Sequence, residues 1–96
     1  MRAPAIFLET VPDADTFAEY RKAVMPTLAP FGGAFLGRGR DFTVIEGEWP
    51  HQRIAILAFP SRTEAEGWHA SPACRAVLPL RLKSMASNAV IVDAVD

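Results

Sequence analysis

The run Arg53-Ile54-Ala55-Ile56-Leu57-Ala58-Phe59 decides how this chain folds. After Arg53 every residue is apolar, and Pro60 ends the run, so it reads as a strand. Side chains alternate along a strand, which puts Ile54, Ile56 and Ala58 on one face and Ala55, Leu57 and Phe59 on the other. Both faces are apolar. A strand wetted on one side would alternate apolar with polar, so this strand needs cover on both.

Working outward, two more segments repeat the pattern. Ala3 to Thr10, bounded by Val11-Pro12, sets Ile6 and Leu8 against Ala5 and Phe7, and Ala89 to Val95 sets Val90 and Val92 against Ala89 and Ile91. Between the first two lies a helix: Asp13 or Asp15 can cap it, and Phe17, Tyr20, Val24, Leu28 and Phe31 recur at spacings of three and four. Pro26 is expected to kink or interrupt it, and Gly32-Gly33 supplies a left-handed stop. Gly33 to Arg38 and Phe42 to Glu48 read as two extended runs around Gly39-Arg40-Asp41, a hairpin with a bend or bulge near the glycine. Pro50-His51-Gln52 makes a loop.

Beyond Pro60, Ser61-Arg62-Thr63-Glu64 has the spacing of a capping box and starts a short helix to about Ala70. Ser71-Pro72 starts another to about Met85, with a kink expected at Pro79. The order is strand, helix, hairpin strand, strand, helix pair, strand. Split βαβ units of this kind fold into a four-stranded antiparallel sheet with both helical units on one face. The expected fold is an α+β, ferredoxin-like sandwich, one domain over residues 1–96.

Those helices can shield one face of the sheet only. At about 25 cal/mol per Å², leaving the other face in water would forgo on the order of 10 kcal/mol, comparable with the stability of a whole domain. A second copy packed against it by two-fold symmetry removes that cost. The expected assembly is a homodimer through the helix-free sheet face, with two sheets forming a barrel-like core.

Composition narrows the function classes. Ten Lys and Arg against eleven Asp and Glu leave a charge of −1, without the basic footprint that nucleic acid or an acidic membrane surface requires. The longest apolar stretch, Ile54 to Phe59, is too short to span a bilayer or to serve as a secretory core, which gives a cytoplasmic expectation. Cys74 is the only cysteine, so no internal disulfide and no zinc site with several thiolates can form. His51 and His69 stand in no metal-ligand motif, and phosphate-binding glycine loops and nucleophile elbows are absent. Neither metal nor cofactor is expected.

An ordered set of short motifs adds to this reading. Phe31-Gly32-Gly33, Leu36-Gly37-Arg38-Gly39, Ile45-Glu46-Gly47-Glu48-Trp49, Phe59-Pro60-Ser61, Trp68, Ser71-Pro72 and Leu80-Arg81 resemble the bacterial family catalogued as domain of unknown function 1330, over nearly the whole chain. The resemblance implies the dimeric α/β-barrel superfamily, whose members include cofactor-free monooxygenases, small isomerases and decarboxylating or haem-binding enzymes. His69 and Cys74 stand where that family more often has tyrosines, so no hydroxyl role carries over to them.

Several residues are candidates for chemistry. Arg81 lies among Val77, Leu78, Leu80 and Leu82, where a guanidinium needs an anion: a salt bridge within the chain, with Glu46 as the expected partner, or a substrate carboxylate. Trp68 and His69 end one helix directly before Ser71-Pro72, where an aromatic and a titratable ring can line a pocket. Trp68 has the competing role of core packing. Cys74 falls in the first turn of the next helix beside Arg75, which favours a thiolate, whereas burial would make it a small hydrophobe. Glu46 and Glu48 share a strand face, as do Arg38 and Arg40; they read either as cross-strand pairs on the wet side or as the polar floor of a cleft.

Together these residues point to a small anionic or aromatic metabolite bound between helices and sheet. Arg81 and Arg38 would hold a carboxylate or enolate, Trp68 would stack on it, Ser71 would line the pocket, and His69 or Glu46 would move a proton. Such a set suits isomerisation or cofactor-free oxygenation. The competing class is a non-catalytic binding or assembly protein whose cleft is filled by its own side chains.

Overall fold

Asp13, Ser61 and Ser71 each accept a backbone N–H from three residues on, at 3.1, 3.2 and 3.2 Å, and these caps set the helices in the computed structural model, which describes residues 1–95. They start α1 (Ala14–Leu28), α2 (Arg62–Ala70) and α3 (Pro72–Ser84). A single 3-10 turn, Ala29–Phe31, extends α1 and ends at Gly32, whose φ of 69° is the left-handed stop. A Cβ on the adjacent Gly33 would lie 2.7 Å from the Phe59 ring, so the chain turns there tight against the core.

Pro26 and Pro79 do not interrupt their helices. Both prolines are exposed, as are Lys22 and Arg75, whose carbonyls lose the hydrogen bonds. Tyr20, Val24 and Leu28 meanwhile hold the inner face of α1 in the core.

The strands β1 (Ala5–Thr10), β2 (Ala34–Gly39), β3 (Arg53–Ala58) and β4 (Ala86–Ile91) form one antiparallel sheet in the order β2-β3-β1-β4. Two boundaries differ from the expected ones. Phe42 to Glu48 joins no ladder: β2 pairs with β3, and residues 40–52 form a loop between them. That segment carries Glu46 and Glu48 and is broken by Gly47 at φ 75°, and the more apolar β3 takes the place beside β2. The last strand begins at Ala86 rather than Ala89 and ends at Ile91. Its ladder to β1 runs from Thr10↔Ala86 to Ala5↔Ile91, so backbone pairing along the full length of β1 takes in Ser87 and Asn88. A bulge at Leu36, between Phe35 and Gly37, lies in the strand expected to bend, three residues before Gly39.

All helices cover the face carrying Ala5, Phe7, Ala55 and Leu57, and Tyr20, Val24, Leu28, Ala65, Trp68 and Cys74 complete the core there. The other face holds Ile6, Leu8, Ile54 and Ile56, each half-buried, and Val90, which is 60% exposed. Loop 40–52 reaches the end of this face, where Phe42, Ile45 and Trp49 line a shallow depression with Ile54. Among the described residues no helix is long and apolar enough to cross a membrane.

Candidate functional site

A cleft opens between α1 and the sheet because a small residue sits in the middle of the sheet's helix side. Ala55 of β3 lies between Phe7 of β1 and Arg38 of β2 in register, and its short side chain leaves a dip between two large ones. Phe17, Tyr20 and Val24 roof the dip from α1, and Trp68 closes its inner end. The void is about 30 Å³, room for about two waters. It continues past the exposed Arg21, Met25 and Arg38 into a mouth that brings the open space to about 470 Å³.

Polar groups are few and placed at the ends. Glu9 and Arg53 face each other across the β1–β3 ladder and form an ion pair with Nε to Oε1 at 2.9 Å. Glu9 is 4% exposed, and this burial pushes its carboxyl above the ordinary value, outweighing the opposing pull of Arg53 beside it and of Arg81 farther off. The Arg53 guanidinium also lies over the Phe17 ring, 4.8 Å from its centre. Burial pushes the Tyr20 hydroxyl up to about 12, so it stays protonated. At the mouth, Arg38 covers the Phe35 ring at 4.6 Å and Arg21 approaches Phe17 at 5.8 Å. Three arginines and one glutamate line the cleft, a surplus of two positive charges (3 − 1) in a chain whose net charge is −1.

The residues singled out from sequence do not converge. Arg38 and Trp68 line the cleft. Trp68 is also core, 3% exposed, with its Nε1–H donated to Thr27 Oγ1 at 2.9 Å and its ring against Phe7 and Phe59. Arg81 is half-buried on α3; it donates to Ser87 Oγ at 3.1 Å and lies 5.8 Å from the centre of the Phe7 ring. The salt bridge expected between Arg81 and Glu46 is not formed, because Glu46 sits exposed in loop 40–52. Nor do Arg38 and Arg40 pair with Glu46 and Glu48, since the strand expected to bring them together is that same loop.

Ser71 is buried at the α2–α3 junction, and its hydroxyl donates to Trp68 O at 2.7 Å while accepting from Cys74 N. His69 is exposed at the end of α2, where it lines a separate shallow depression with Trp68, Ala89 and Ile91. Partial burial of its ring lowers its pKa, helped by the charges of Arg81 and Arg75. Cys74 is buried, and burial raises its thiol pKa against the opposite pull of the same two arginines. Glu9, Arg53 and Tyr20 escaped the reading of the sequence. The signal was the alternation itself: Glu9 follows Ala5 and Phe7 on the inward face of β1, and Arg53 precedes Ala55 on that of β3.

The family model described as "Domain of unknown function (DUF1330)" matches residues 3–95. No curated protein matches the chain. Among solved structures, a protein of unknown function from Rhodopseudomonas palustris superposes with a TM-score of 0.81 at 15% identity, covering 99% of this chain and 83% of the other. A dimeric ferredoxin-like protein of unknown function from Thermobifida fusca gives 0.69 at 18% identity, covering 98% and 92%. A cofactor-independent oxygenase from Streptomyces nogalater gives 0.71 at 12% identity, covering 99% and 94%. These likenesses show the ferredoxin-like fold.

Proposed function

The chain belongs to the family of domain of unknown function 1330, and from that premise we propose that it is a homodimer whose helix-sheet cleft binds a small aromatic or enolic acid. One observation carries the reading: an apolar cleft lined by three arginines against a single carboxylate, within a chain that is slightly acidic overall. Flat apolar walls favour a planar ligand, and the unbalanced guanidiniums at the mouth favour an anionic one. Arg38 keeps the anchoring role expected of it. His69 and Glu46 stand outside the cleft, so the proton-transfer role passes to Glu9, whose carboxyl is held above its ordinary pKa.

A base, a protonated phenol and a cradle of guanidiniums suffice for isomerisation or cofactor-free oxygenation of an enolisable acid. A structurally similar protein with the latter activity is consistent with that class. The dimer is supported by two neighbours described as dimeric and by the apolar helix-free face. Light scattering on eluted protein should give twice the mass of one 10.5 kDa chain.

The second reading, a non-catalytic protein with a filled cleft, has the small void of about 30 Å³ in its favour. Thermal-shift and calorimetric titrations with benzoate and with benzamide, its neutral counterpart, separate the two. Saturable stabilisation by benzoate, weakened by Arg38→Met and absent with benzamide, is the expected result, because a ligand of the native state raises its melting temperature. A flat response to both compounds leaves the filled-cleft reading standing.

A further inference from the structure

Three polar side chains are buried in the cleft, and two of them are satisfied within the chain: Glu9 by Arg53 and Trp68 by Thr27. The third is Tyr20. It is 8% exposed, and among the described residues its hydroxyl makes no hydrogen bond. Among the described residues no side-chain oxygen sealed from solvent lacks a partner, so this hydroxyl keeps an opening, and the cleft is the space that Tyr20 lines. A phenylalanine would fill the same position in the stripe of α1, so packing alone does not call for the hydroxyl.

We propose that Tyr20 is the specificity-determining residue of this cleft, donating its O–H to a second oxygen of the ligand, and that the ligand class is therefore a flat acid with polar groups at two ends. This inference rests on the reading of the cleft as an anion site. The acid group sits at the mouth with Arg38, the ring lies in the outer cleft, and the second oxygen enters the small void toward Tyr20. The phenol is a donor there, since burial keeps it protonated across the physiological range. Sites that hydrogen-bond a ligand oxygen discriminate against analogues lacking it more sharply than apolar walls discriminate by size.

The test is calorimetric titration of wild type and Tyr20→Phe with benzoate and with ortho-, meta- and para-hydroxybenzoate. The fold of the variant is checked by its melting temperature, which should not change because no hydrogen bond within the chain is lost. At least one hydroxybenzoate should bind wild type about tenfold tighter than benzoate, and Tyr20→Phe should lose that advantage while benzoate affinity stays within about twofold. An advantage that survives in Tyr20→Phe, or no advantage for any isomer, overturns the role of Tyr20 and leaves the anion site intact. If none of the four compounds binds wild type, both readings fall together.

Discussion

The Arg53 guanidinium meets the Glu9 carboxylate at 2.9 Å on the helix side of the sheet, and both side chains are largely withdrawn from water. A buried pair of this kind adds little net stability, yet removing one partner strands the other charge at high cost. Arg53→Met should therefore destabilise the fold by about 3–5 kcal/mol at neutral pH. Urea titration reads the loss, and acidification should restore part of it by protonating Glu9. A loss that stays the same on acidification would mean that Arg53 acts through its packing on Phe17 instead.

The same carboxyl gives a pH dependence with a definite sign. Its folded pKa lies above the ordinary 4.5, so the folded state holds its proton more readily than the unfolded chain. That contribution is complete below the unfolded value and is lost as pH rises through the folded one. Wild type should gain stability relative to Glu9→Gln as pH falls from 7 toward 4.5. A constant difference between the two across that range would show that Arg53 fully offsets the burial.

Ser71→Ala should lower stability by about 1 kcal/mol, the usual worth of an N-cap, since its hydroxyl both caps α3 and closes α2 onto Trp68 O. Benzoate affinity should not change. The opposite pattern, weaker binding at unchanged stability, would give the hydroxyl back the ligand-lining role suggested by its place in the sequence.

What was legible in the sequence follows from how local each signal is. Asp13, Ser61 and Ser71 announce their helices because a cap is a contact across three residues. The two-faced strands are equally plain, since alternation needs only neighbours. Loop 40–52 was not legible: whether Phe42 to Glu48 or Arg53 to Ala58 pairs with β2 is a competition between distant segments, decided by burial. The candidate site suffered most from this. Glu46 and His69 stand out as chemistry in one dimension but face solvent. Glu9, Arg53 and Tyr20 look like ordinary members of amphipathic elements until the β1–β3 register and α1 bring them to one cleft.

Cys74 sits in the first turn of α3 beside Arg75, a setting that favours a thiolate, but burial dominates and raises its pKa. A thiol reagent should react with it slowly at pH 7 in the folded protein and promptly after denaturation. The reaction rate should keep rising with pH beyond the ordinary thiol value of 9.0. A plateau below that value would restore the nucleophile.

Ala55 tests where the ligand lies. Its side chain is the floor of the cleft, flanked in register by Phe7 and Arg38, and leucine adds three carbons above that floor. The void of about 30 Å³ takes only part of this addition, and the rest must extend toward the mouth past Phe17 and Arg38. Overpacking costs about 1–3 kcal/mol, and newly buried apolar area offsets some of it, so Ala55→Leu should remain folded with a modestly altered melting temperature. Its affinity for benzoate should fall below detection, Ala55→Val should be intermediate, and Ala55→Gly should bind at least as well as wild type despite the lower stability of a glycine in a strand. Affinity ordered by side-chain size places the ligand against the opening above Ala55. Equal affinity in all four proteins would place it elsewhere, and the depression beside His69, on the far side of the Phe7–Trp68 wall, would be the next surface to block.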